Sequence, residues 1–136
     1  MMPSLPTELL ELAYRQDLKL LLGRWNYQPG QAELAGAYEH LYAAFESSQA
    51  WRWLQDIRCR TLPDPHTMHW LMSDFFPDVA QQLGRQLRVA YVVGPALRGL
   101  IEAGPDFNPL STYAGRPFVV NFFGEEQAAI SWLCKA

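Results

Sequence analysis

The stretch Trp51-Arg52-Trp53-Leu54-Gln55-Asp56-Ile57-Arg58 constrains the fold more than any other part of the chain. Alternation puts Trp51, Trp53, Gln55 and Ile57 on one side and Arg52, Leu54, Asp56 and Arg58 on the other. Both sides carry apolar residues, so the segment predicts an interior strand covered above and below. A carboxylate near the end of such a strand needs a partner, and Arg58, two residues on along the same face, is within reach of Asp56. The chain continues through Cys59-Arg60-Thr61-Leu62-Pro63 to Asp64-Pro65. That pair predicts a helix start, with an acceptor side chain at the cap and proline at the first helical position.

The rest of the chain arranges itself around this unit. Residues 1–7 hold Pro3 and Pro6 and read as a loose arm, with one domain over 8–136. Leu10, Leu12 and Tyr14 alternate, as do Leu18, Leu20 and Leu22, with Arg15-Gln16-Asp17 between them, which predicts a β-hairpin. Strong helix formers in 8–13 point the other way, but propensity yields to packing. After the turn cluster at 26–30, Leu34, Tyr38, Leu41 and Phe45 draw one helical stripe. Gly36 within it suggests close approach of helix to sheet. A second stripe, Met68, Leu71, Phe75, Val79 and Leu83, ends at Gly84, with Pro77 expected to kink it.

Residues 86–93 predict another covered strand. Gly94-Pro95 opens a short helix through Leu97, Leu100 and Ile101 that Gly104-Pro105 closes, and 106–115 read as a loop with apolar anchors. Residues 116–123 predict the last strand. Gly124-Glu125-Glu126 then starts a final helix with acidic residues at its positive end, packed by Ala128, Ala129, Trp132 and Leu133. The expected class is α/β: a single-domain mixed β-sheet, mainly parallel in its second half, with helices packed on it in the order β-β-α-β-α-β-α-β-α.

Composition narrows the function by exclusion. A chain of 136 residues, 49% hydrophobic with five Trp, six Tyr and seven Phe, has ample material for one core. A formal net charge of −3 argues against binding along a nucleic-acid backbone. No apolar run approaches the roughly 18 residues of a membrane-spanning helix, and no signal-peptide pattern opens the chain. The two cysteines, Cys59 and Cys134, form no CxxC pair, so a cytoplasmic protein with reduced thiols is expected.

Several pieces resemble the STAS-like domains related to anti-sigma-factor antagonists, and in particular small bacterial STAS-like proteins without assigned function. They are Gly23-Arg24-Trp25, Gly36-Ala37-Tyr38, Trp53-Leu54-Gln55-Asp56-Ile57-Arg58, Trp70, Phe76-Pro77, Val89-Ala90-Tyr91-Val92 and the closing run from Glu125 to Leu133. The likeness covers roughly 9–133 in arrangement and rests on no strict motif. It implies a regulatory or protein-binding module. Antagonists of that type carry a phosphorylatable Ser after the central strand in an Asp-Ser-Ser/Thr-Gly pattern. Here the place reads Asp56-Ile57-Arg58-Cys59-Arg60-Thr61, without such a Ser and with Thr61 only an approximate stand-in.

The candidate chemistry is sparse. His66 and His69 can share a helix face, but no third ligand has metal-site spacing. Cys59 lies between Arg58 and Arg60, which lowers a thiol pKa, yet no base or oxyanion site accompanies it. Arg58 and Arg60 fall at the carboxyl end of the central strand, where α/β sheets bind ligands, with Gly94 at the end of the next one. An anion there would compete with Asp56 and Asp64. No GxGxxG, Walker or GxSxG pattern occurs.

The expectation is therefore a non-enzymatic module with no metal, cofactor or catalytic residue. Its binding residues are Asp56, Arg58, Arg60, Thr61 and Gly94, and its partner is a protein or a second copy of the chain, meeting a surface near the loop from Cys59 to Asp64 and the kinked helix after it. The alternative is a carrier or sensor of a small apolar or anionic ligand at the same crevice. The five tryptophans divide between core packing and an interface.

Overall fold

The structure, a computed structural model, describes residues 9–59, 65–103, 113 and 115–135. Strands β1 (Leu10–Arg15) and β2 (Leu20–Trp25) form the hairpin, followed by helix α1 (Gln31–Ser48) and strand β3 (Arg52–Asp56). Helix α2 (Pro65–Trp70), a π-helical turn (Leu71–Phe75) and helix α3 (Phe76–Leu83) follow without a break. Strand β4 (Leu87–Val92), helix α4 (Pro95–Ala103), strand β5 (Phe118–Phe123) and helix α5 (Glu126–Cys134) complete the described elements. The fold is mixed α/β, built on a five-stranded sheet in the order β1-β2-β3-β4-β5.

Strand β3 is the middle strand. It lies parallel to β2 and β4, with Leu22 and Ala90 both opposite Leu54, and the last four residues of β3 are buried. Only β1 runs antiparallel, pairing Leu10 with Trp25 and Arg15 with Leu20. The hairpin turns through 16–19, where Lys19 takes a left-handed conformation at φ 51°.

Because the parallel strands follow one another in sequence, every crossover advances the same way. Crossovers are overwhelmingly right-handed, so the connecting helices must fall on one face of the sheet. They do. Trp53 packs edge-on against Phe45 of α1 at 5.0 Å between ring centroids and against Phe76 of α3 at 5.9 Å. Leu97 and Ile101 of α4 join the same core. The opposite face is covered by α5, whose Ala129 and Leu133 sit on Leu20, Leu54, Ala90 and Val92. The two apolar faces of the central strand thus feed two separate cores.

Local sequence accounts for how the helices begin and end. Glu33 accepts a hydrogen bond from the Gly30 N–H (3.1 Å) and one from the Tyr27 hydroxyl (2.9 Å), which fixes the start of α1. Gly84 ends α3 at φ +72°, donating to the carbonyls of Ala80 (2.9 Å) and Gln81 (3.2 Å). Pro77 is accommodated rather than simply kinking its helix. The Phe76 N–H reaches back five residues to the Leu71 carbonyl, opening the π-helical turn just before the ring that cannot donate. Ser73 adds a hydroxyl bond to the His69 carbonyl at 2.8 Å.

Two expectations change, at Gly36 and Trp70, and Leu100 is placed. Gly36 meets nothing within 4 Å of an added Cβ, so it marks no close approach. Leu100 is 60% exposed on the outer side of α4, where Leu97 and Ile101 take the inner positions. Trp70 is 38% exposed and does not cover the sheet, whereas Trp25 and Trp53 are fully buried. The first-residue arm, the Asp64 cap and most of the 106–115 loop lie outside the described residues; of that loop, Tyr113 is buried against Phe118 at 5.8 Å.

Candidate functional site

At the carboxyl end of β3, Asp56 collects two guanidinium groups. Arg58 donates from Nε to Oδ1 (3.0 Å) and from Nη2 to Oδ2 (2.6 Å), and the Arg58 backbone N–H adds a third bond at 3.1 Å. Arg24 donates from Nε to Oδ2 at 3.3 Å and from Nη2 to Glu126 at 3.4 Å. Asp56 keeps 6% of its side chain exposed, against 43% for Arg24 and 47% for Arg58.

Burial alone would raise the Asp56 carboxyl. The hydrogen bonds from Arg58, that residue's charge and the Arg24 bond outweigh it, and the net direction is down. Arg58 is correspondingly held above its ordinary value, first by the hydrogen bond and then by the charge of Asp56. Two cations and two anions close on one another here, so the network carries no surplus charge with which to draw an anion.

Sequence reasoning anticipated the Asp56–Arg58 pair but not Arg24 or Glu126. Their signal is the parallel register, which sets Arg24 directly opposite Asp56, and a register between distant strands cannot be read from alternation alone. Gly94 follows β4, and its carbonyl accepts the Arg98 N–H at 2.9 Å as the start of α4. The order of the parallel strands never reverses, so β3 and β4 form no topological switch point. Arg60 and Thr61 lie outside the described residues. Cys59 is exposed.

The same end of the sheet offers a second feature, on the helix that the sequence expected to face a partner. The first turns of α1 and α2 leave an open groove of about 360 Å³ lined by Leu34, Ala35, Tyr38, His66, Thr67 and Trp70. Packed aromatic rings back the groove. Tyr38 stands edge-on to Trp70 at 5.3 Å and to Phe75 at 5.2 Å, and it tilts against the buried Trp25 at 5.8 Å. Trp70 also leans on Phe75 at 5.3 Å. An aromatic chain thus runs from the core to the surface and presents one indole to solvent. The signal available in sequence was Trp70 falling off the stripe of Leu71 and Phe75.

His66 and His69 are both exposed, and among the described residues no group of three His, Cys, Asp or Glu side chains is placed to hold a metal. No described helix is long and apolar enough to cross a membrane. Compared with protein families and with curated proteins, the chain matches none.

Proposed function

We propose that the protein is a non-catalytic, STAS-like binding module whose groove between α1 and α2 receives an apolar side chain from a protein partner. The carrying observation is Trp70, a large aromatic side chain left 38% exposed while its inner edge is held by Tyr38 and Phe75. Buried or half-buried aromatics beside a concavity are the usual anchors of protein contacts, because they contribute area at little entropic cost. The mixed five-stranded sheet, with three parallel pairs after one antiparallel pair, supports the STAS-like part of the reading. The place after the central strand holds no such Ser, so the reading does not rest on regulation by phosphorylation there.

The reading is tested by placing a photo-crosslinking residue at Thr67 in cells and identifying adducts by mass spectrometry. One protein, or a second copy of the chain, is expected to crosslink, and the adduct should vanish with Trp70→Glu while surviving Leu100→Glu on α4. An adduct pattern insensitive to Trp70→Glu would refute the groove as the contact.

A further inference from the structure

The opposite end of the sheet gathers cations that no carboxylate of a described residue answers. Of the described arginines, Arg15, Arg24, Arg58 and Arg98 each hold an Asp or Glu. Arg52, Arg85, Arg88 and Arg116 hold none among the described residues, and all four lie at the amino ends of β3, β4 and β5. Arg52 and Arg88 are direct partners across the parallel ladder, on the face covered by α5. Adjacent strands are about 4.8 Å apart, so two like charges stand side by side where such a pair destabilises a sheet.

Each of the two is fixed by its surroundings. Arg52 donates Nη1 to the Leu18 carbonyl at 2.7 Å, and its guanidinium lies 4.0 Å from the Trp51 ring centre. Arg88 donates Nη2 to the Trp132 carbonyl at 3.0 Å, near the end of α5, and lies 4.3 Å from the Trp132 ring. Both Nε–H groups are buried without an acceptor. Arg85 stacks on Trp51 at 3.6 Å and adds a third positive charge. Burial, and then the charge of Arg52, push the Arg88 guanidinium below its ordinary value, the direction expected where an anion is missing. The acids nearest in the fold do not help: Asp17 is held by Arg15 at 2.9 Å, and Glu46, near the end of α1, forms no ion pair with a described residue.

We propose that Arg52 and Arg88 form a binding site for a phosphate-type oxyanion, bridged between the two guanidinium groups at the amino end of β3 and β4. Two forks held on neighbouring strands suit a multi-oxygen dianion better than a single carboxylate, because each guanidinium can donate to a different oxygen. Arg85, exposed on Trp51, screens the outer side of the bound charge. The site is independent of the groove at the other end of the sheet.

The test uses the full chain and the arginine Nε–H resonances in nitrogen–proton correlation spectra. Millimolar inorganic phosphate should shift the Arg52 and Arg88 signals in a saturable way, leave Arg58 still because Asp56 occupies it, and raise the melting temperature. A nucleoside monophosphate added in parallel identifies the source. Tighter binding assigns the site to phosphomonoesters, and equal binding assigns it to free phosphate. Arg88→Gln should weaken either ligand by about tenfold or more, since a charge-assisted fork is lost, while Arg116→Gln should not. Should Arg88→Gln fail to fold, the wild-type spectra still decide. Absence of saturable shifts at Arg52 and Arg88, or the same shifts with chloride at matched ionic strength, would overturn the proposal.

Discussion

Asp56 separates charge from packing at the level of single residues. Asp56→Asn keeps the shape and removes the anion that Arg58 and Arg24 grip. Because both arginines are nearly half exposed, solvent screens part of the interaction, and the expected loss at neutral pH is about 1–2 kcal/mol. The native carboxyl titrates below its unfolded value, so its contribution is present above roughly pH 4 and fades as pH falls through the lowered native value. Wild type and Asp56→Asn should therefore differ in melting temperature at pH 7 and converge as the pH falls below the lowered native value. A difference that persists unchanged in acid would show that the loss does not come from the charge of Asp56. The Asp56–Arg58 contact was legible because both residues sit on one segment. Arg24 and Glu126 were not, since they arrive from strands and helices whose register is set by tertiary pairing.

Two glycines give opposite predictions at the level of elements. Gly84 holds α3's end at φ +72°, a left-handed conformation in which a side chain costs about 1–2 kcal/mol, so Gly84→Ala should lower stability by that order. Gly36 lies inside α1 with open space around it, and Gly36→Ala should raise stability by about 0.5–1 kcal/mol. Chemical denaturation of both variants checks the pair, and a loss in Gly36→Ala would mean that α1 packs more closely than described. Phe75, in the π-helical turn, touches the rings of Tyr38, Tyr42, Trp53, Trp70 and Phe76. Phe75→Ala should cost about 3–5 kcal/mol and release Trp70, seen as a red shift and quenching of its fluorescence in a variant lacking the half-buried indoles of Trp51 and Trp132. The hairpin, the stripe of α1 and the glycine stop of α3 were all readable from spacing. The π-helical turn was not, because a proline in a helical stripe states that a donor is missing but leaves open how the backbone absorbs it.

For the molecule as a whole, the arrangement follows from one strand being apolar on two sides. Sequential parallel strands force the connecting helices to one face, which leaves the second apolar side of β3 for α5. The same geometry divides the charges. Arg24 and Arg58 gather with their carboxylates at the carboxyl end, while Arg52, Arg85, Arg88 and Arg116 lie at the other, although the chain carries a formal net charge of −3. Composition showed the total and not this separation, because pairing depends on which strand ends meet. Amide hydrogen exchange tests the central position of β3 most directly. Slowest exchange is predicted for Trp53, Leu54 and Gln55, flanked by β2 and β4 and covered by two cores, with Leu12 and Tyr14 of edge strand β1, whose amides point away from β2, exchanging far sooner. Exchange of the Trp53–Gln55 amides as fast as those of β1 would contradict the fold described here.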